Sequence, residues 1–148
     1  VDGLSSSIRT TATLKNITIA DHGCAGELGG GLLVENATVT LTNSILWNNG
    51  GREIQLAEGA KITVDHSDVQ KSQSGEGNLS VDPRFGGGYH LASSVGRWDG
   101  ATWVQDGESS PCIDTGDPQA PVGQESAPNG DRVNMGAFGG TARASKSP

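Results

Sequence analysis

The densest set of reactive side chains in this 148-residue chain is Asp65-His66-Ser67-Asp68. In an extended strand alternate residues share a face, so His66 and Asp68 would point one way and Asp65 and Ser67 the other. A His/Asp pair on one face is the minimum for general acid–base work. The plainer expectation is the outward face of a strand with a bend residue in it, since isolated titratable clusters are common. A second chemistry to weigh is proton abstraction from a uronate sugar. It needs a cation to neutralise the sugar carboxylate and a base to take the α-proton. Arg52, Lys61 and Asp65 are the candidates for those roles, and they form no recognisable lyase motif.

Three other sets carry binding rather than reactive potential. Asp114, Asp117 and Asp131 stand in Gly-containing, oxygen-rich loops of a kind that hold Ca²⁺, without EF-hand spacing; hydrogen bonding to turn backbone is the role expected first. Calcium is the one cofactor the residues suggest. Trp98 and Trp103 are expected as apolar plugs over a core, with a sugar-stacking platform as the rival reading. Cys24 and Cys112 lie too far apart for a metal or redox motif, leaving one long-range disulfide or two buried thiols. Asn16, Asn36 and Asn78 each head an N-x-S/T sequon. No Ser-His-Asp triad, phosphate loop or zinc spacing is present.

The elements that must position these residues read differently in the two halves. Up to about residue 70 the chain consists of short β runs that repeat. Leu14-Lys15-Asn16-Ile17-Thr18-Ile19, Leu41-Thr42-Asn43-Ser44-Ile45-Leu46 and Val64-Asp65-His66-Ser67-Asp68-Val69 align with one another. Leu32-Leu33-Val34 and Ile54-Gln55-Leu56 form a second set, and Ala37-Thr38-Val39 and Ala60-Lys61-Ile62 a third. Several strands per period of about 25 residues, with no helix-length run and no tight hairpin turn, describe one coil of a solenoid. Stacking would place Leu14, Leu41 and Val64 in one inward column, and Asn16, Asn43 and His66 in a polar ladder at a bend.

From residue 71 onward Gly, Pro, Asp and Ser dominate. A solenoid end exposes strand edges and open core. The aromatics Phe85, Tyr89, Trp98, Trp103 and Phe138 supply material for a cap. Composition agrees with an all-β, turn-rich chain: 33% hydrophobic residues and 23 glycines leave little for a helical bundle. A formal charge of -7 argues against nucleic acid as a partner, because no basic face is available to displace phosphate counterions. No stretch is long and apolar enough to insert into a membrane. The chain opens on Val1 with no signal peptide, as a processed or excised piece of something longer would.

The repeats, of which Val39-Thr40-Leu41-Thr42-Asn43-Ser44-Ile45-Leu46-Trp47 is the clearest, resemble those of right-handed parallel β-helix proteins of the pectate-lyase-like superfamily. The ordered series from Asp82-Pro83 through Tyr89-His90-Leu91, Ser110-Pro111 and Asp114 to Gly136-Ala137-Phe138-Gly139 resembles the C-terminal segment that closes many large secreted bacterial β-helix proteins. The resemblance implies an all-β, right-handed parallel β-helix of about three coils over residues 1–70. Residues 71–148 would then form an irregular C-terminal cap of the same domain. It also implies a secreted or cell-surface location, and it does not select one activity. The expected function is a non-catalytic extracellular module with a structural, adhesive or carbohydrate-contacting role. Its expected partners are polysaccharide or other copies of itself through end-to-end coil stacking. The alternative is the terminal part of a polysaccharide lyase or glycoside hydrolase.

Overall fold

Short runs of β-branched and aliphatic residues, each broken by a residue that tolerates positive φ, produce a chain that turns at fixed corners. The computed structural model describes residues 10–23 and 30–148, and among these there is no helix. Each corner of the coil is a left-handed residue. Asn16, Asn43 and His66 take φ of 50°, 53° and 47°, so the expected ladder exists as a column of αL corners. Asn tolerates this conformation because its short amide can bond locally.

Around those corners the strands stack in parallel. β1 (Thr10–Lys15), β4 (Ala37–Thr42) and β7 (Lys61–Asp65) form one sheet. β2 (Thr18–Ala20), β5 (Ile45–Trp47) and β8 (Asp68–Val69) form a second, and β3 (Leu32–Val34) pairs with β6 (Ile54–Leu56) in a third. This is the expected parallel β-helix of about three coils. Leu14 pairs with Leu41 and Leu41 with Val64, so the predicted column stands in the predicted register. At the corner the coils are joined by side chains. Ser44 Oγ accepts from Ile17 N–H at 3.3 Å and Ser67 Oγ accepts from Ser44 N–H at 3.1 Å. Asn78 Oδ1 continues the ladder by accepting from Ser67 N–H at 3.0 Å. Leu79 bridges to Asp68, so residues around 74–81 form an abbreviated further rung over β8.

Gly30 and Gly31 occupy the approach to β3 because a Cβ at either position would collide with the carbonyl of Asn49 or Glu53 in the next coil.

Two cores result, one on each side of the β2–β5–β8 sheet. Leu41, Leu46, Val64 and Val69 fill the coil interior. Ile45, one residue from Leu46, faces the other way and is fully buried against Leu91, Cys112, Ile113 and Met135. The C-terminal region expected to close the end of the helix therefore lies along its flank as a second layer. It is built from two hairpins, β9 (Phe85–Gly87) with β10 (His90–Leu91) and β11 (Arg97–Trp98) with β12 (Trp103–Val104), followed by ordered turns.

Hydrogen bonds tie this layer to each coil in turn. Asn16 Nδ2 donates to Asn134 O at 3.3 Å, Gly136 N–H to Asn43 O at 2.8 Å, and Cys112 Sγ to Asp68 Oδ2 at 3.2 Å.

Candidate functional site

The flank layer does not cover the sheet completely, and a groove of about 470 Å³ remains at its edge. One wall is the end of β2 and the corner after it. Thr18 and Ala20 belong to the strand, and Asp21 turns the chain with φ of 59°. Asp21 Oδ1 accepts from Asn48 Nδ2 at 2.6 Å, and His22 N–H donates to Asn49 Oδ1 at 3.1 Å, so the coil below fixes both residues. The His22 side chain is left at the exposed rim.

The other wall is aromatic. The β9–β10 hairpin turns through Gly88 and Tyr89, with φ of 58° and 61°. Two successive positive φ values are what a two-residue type I′ turn requires, and Gly, Asn or Asp usually fills such positions. Tyr89 occupies one of them at a cost of roughly 1–2 kcal/mol. The residue is 44% exposed, its ring sits edge-on to Phe85 with centroids 5.4 Å apart, and it lines the groove. Phe138 completes the wall, stacked on His90 with ring centroids 3.5 Å apart. Burial holds the His90 imidazole below its ordinary pKa, and the charges of Arg97 and Arg143 act in the same direction. Ala137 N–H donates to Thr18 Oγ1 at 3.0 Å, which ties this wall to the first one. The arrangement offers two aromatic rings opposite a carboxylate and an imidazole, across a gap open to solvent.

The residues singled out by sequence fall elsewhere. Asp65-His66-Ser67-Asp68 is not one strand, because the αL corner at His66 separates β7 from β8. His66 and Asp68 consequently do not share a face. Asp65 and His66 line a hollow of about 250 Å³ with Glu76 and Asp117. There Asp65 Oδ1 accepts from Glu76 N–H at 2.9 Å, and Asp117 Oδ1 accepts from Gln119 N–H at 2.8 Å. Asp68 is fully buried beneath the flank layer, accepting from Val81 N–H and from the Cys112 thiol. Burial raises the pKa of both Asp68 and Cys112, and the thiol stays protonated as the donor. Arg52 and Lys61 are exposed and form no ion pair with a described residue.

Asp114, Asp117 and Asp131 are not brought together. Asp114 Oδ1 accepts from Ser147 Oγ at 3.0 Å, Asp117 belongs to the hollow just described, and Asp131 is exposed on a separate turn. Among the described residues no three His, Cys, Asp or Glu side chains converge as metal ligands. Trp98 and Trp103 face each other across the β11–β12 hairpin, edge to face at 5.6 Å, with Lys146 Nζ 4.7 Å from the Trp103 ring centre. Both are half-buried and neither reaches the coil interior. Cys112 is a free buried thiol, and Cys24 lies outside the described residues. Of the three sequon asparagines, Asn16 and Asn78 use their amide nitrogens on backbone carbonyls, while Asn36 is exposed at a corner.

Sequence reasoning did not assemble the groove, whose walls come from three distant segments. The one local signal was Gly88-Tyr89 between two short β runs, an aromatic in a two-residue turn.

Comparison with known proteins adds one match. The profile of a protein family described as Disaggregatase related matches residues 9–116, which spans all three coils and the start of the flank layer. No curated protein and no solved structure matches the chain.

Proposed function

The chain belongs to the disaggregatase-related family, and from that premise we propose that it is a non-catalytic, extracellular module that holds polysaccharide against the flank of its β-helix. The observation that carries this reading is Tyr89. A bulky residue kept at positive φ, partly exposed and lining the groove together with Phe138, is a strained position of the kind that function retains. Aromatic faces beside a few hydrogen-bonding groups suit a pyranose ring, whose C–H face is apolar and whose edge carries hydroxyls. Asp21 and His22 supply those polar groups. The non-catalytic part of the reading is supported by the use of Asp65 and Asp68, whose carboxylates accept backbone N–H groups.

Titration of the chain against a panel of oligosaccharides, with Tyr89→Gly beside the wild type, tests this. Glycine relieves the strained φ while losing the Phe85 contact, so stability should change by no more than about 1 kcal/mol, or about 4 °C in Tm. Glycan affinity should fall about tenfold or more. An equal loss of stability and binding would make Tyr89 a packing residue and remove the support for the groove. Turnover of any oligosaccharide, read by new reducing ends or unsaturated products, would favour a lyase or hydrolase instead.

A further inference from the structure

We infer that the Tyr89–Phe138 groove takes uncharged glycan and rejects polyuronates, an inference that rests on the reading of this groove as a polysaccharide site. The argument is one of charge. Among the described residues no Lys or Arg lines the groove, and the fixed charge they place in its wall is the carboxylate of Asp21. That carboxylate is held in place by the Asn48 amide at 2.6 Å, so it cannot swing away from an incoming ligand without breaking the bond. Arg97 and Arg143 act on His90 and are not part of the lining. The chain as a whole carries a formal charge of -7.

A uronate sugar stacked on Tyr89 or Phe138 would bring its own carboxylate beside Asp21, with no Lys or Arg in the described lining to offset the repulsion. An uncharged pyranose offers the same C–H face to the rings, and its hydroxyls donate to Asp21. The carboxylate is then an acceptor for the ligand where it would otherwise repel it. The groove thus discriminates by an element that repels as well as by elements that attract.

The test compares matched ligands. Hexasaccharides of several linkages are prepared as the uronate and as the carboxyl-reduced form, which differ only at C6. Each is titrated calorimetrically into the full chain at about 0.15 M salt, where distant charges are largely screened. The carboxyl-reduced member of at least one pair should bind about tenfold tighter than its uronate. His22→Lys, which puts a cation in place of a polar group at the exposed rim of the groove, should narrow that gap by tightening the uronate in absolute terms. Uronates binding as tightly as their reduced partners would overturn the inference and leave the polysaccharide reading standing. Preference for an amino-bearing oligosaccharide over every uncharged one would also overturn it. Failure of both members of every pair to bind would overturn the polysaccharide reading itself, and this inference with it.

Discussion

Glu125 and Asp68 show what burying a carboxyl does to this protein. Glu125 Oε1 accepts from Asn134 N–H at 2.9 Å and Gly140 N–H at 2.7 Å, which shapes the turn carrying Phe138. Its Oε2 is buried without a partner among the described residues. Burial raises the pKa of Glu125 and of Asp68 above their ordinary values, against the pull of the backbone donors. A raised carboxyl pKa means that the folded state binds the proton more tightly than the unfolded one. The stability it contributes is therefore complete below the unfolded pKa and is lost as pH rises through the folded one. Asp106 behaves oppositely. Its hydrogen bond from Arg97 lowers its pKa, so its contribution holds above the unfolded value and is lost on acidification. Glu125→Gln removes one titration. Urea unfolding should find the variant close to wild type near pH 4 and more stable than wild type near pH 8. A difference independent of pH would show that Glu125 folds with an ordinary carboxyl pKa.

At the scale of elements, β5 is the strand that both cores share. Ile45 and Leu46 are each fully buried, on opposite faces. Ile45→Ala and Leu46→Ala should each cost about 3 kcal/mol in urea unfolding, whereas a residue on a solvent face would cost less than about 0.5 kcal/mol. A near-neutral Ile45→Ala would mean that the flank layer does not seat on β5. The register of the coils was readable beforehand because stacking repeats the same environment, so the aliphatic residues Leu14, Leu41 and Val64 recur at equivalent positions. The corner ladder was readable for the same reason, although His66 hides in it as a non-Asn member. Its αL backbone is what dissolved the proposed His66–Asp68 pair. The flank layer was harder to place. Ile45-Leu46-Trp47 is a continuous apolar run, which is how a strand buried on both faces reads. Periodicity alone gives no sign of which distant segment covers the second face. The groove depends on that docking, so its members could not be grouped from spacing.

For the whole molecule, the flank layer changes how a solenoid should unfold. Coils that touch only their neighbours can fray one at a time, because stability is a sum of local terms. Here a single layer bonds to all of them. Asn134 holds the first coil through Asn16, Gly136 and Asp117 hold the second through Asn43, and Cys112 holds the third through Asp68. Asn43 is the centre of this clamp, since its backbone carbonyl and its Oδ1 each accept one N–H from the layer. Opening one coil therefore exposes part of the Ile45–Met135 core as well as its own interior, which makes partial unfolding nearly as costly as complete unfolding. The three tryptophans allow this to be followed, with Trp47 on β5 and Trp98 and Trp103 in the outer hairpin. Wild-type unfolding should give coincident denaturant transitions by tryptophan fluorescence and by far-ultraviolet circular dichroism, with one midpoint. Asn43→Ala should lower that midpoint by an amount equivalent to about 2 kcal/mol, because it removes the buried amide that accepts the Asp117 N–H and places Ala at positive φ. Separate transitions in the wild type, with the hairpin tryptophans reporting first, would show that the layer detaches while the coils stay folded.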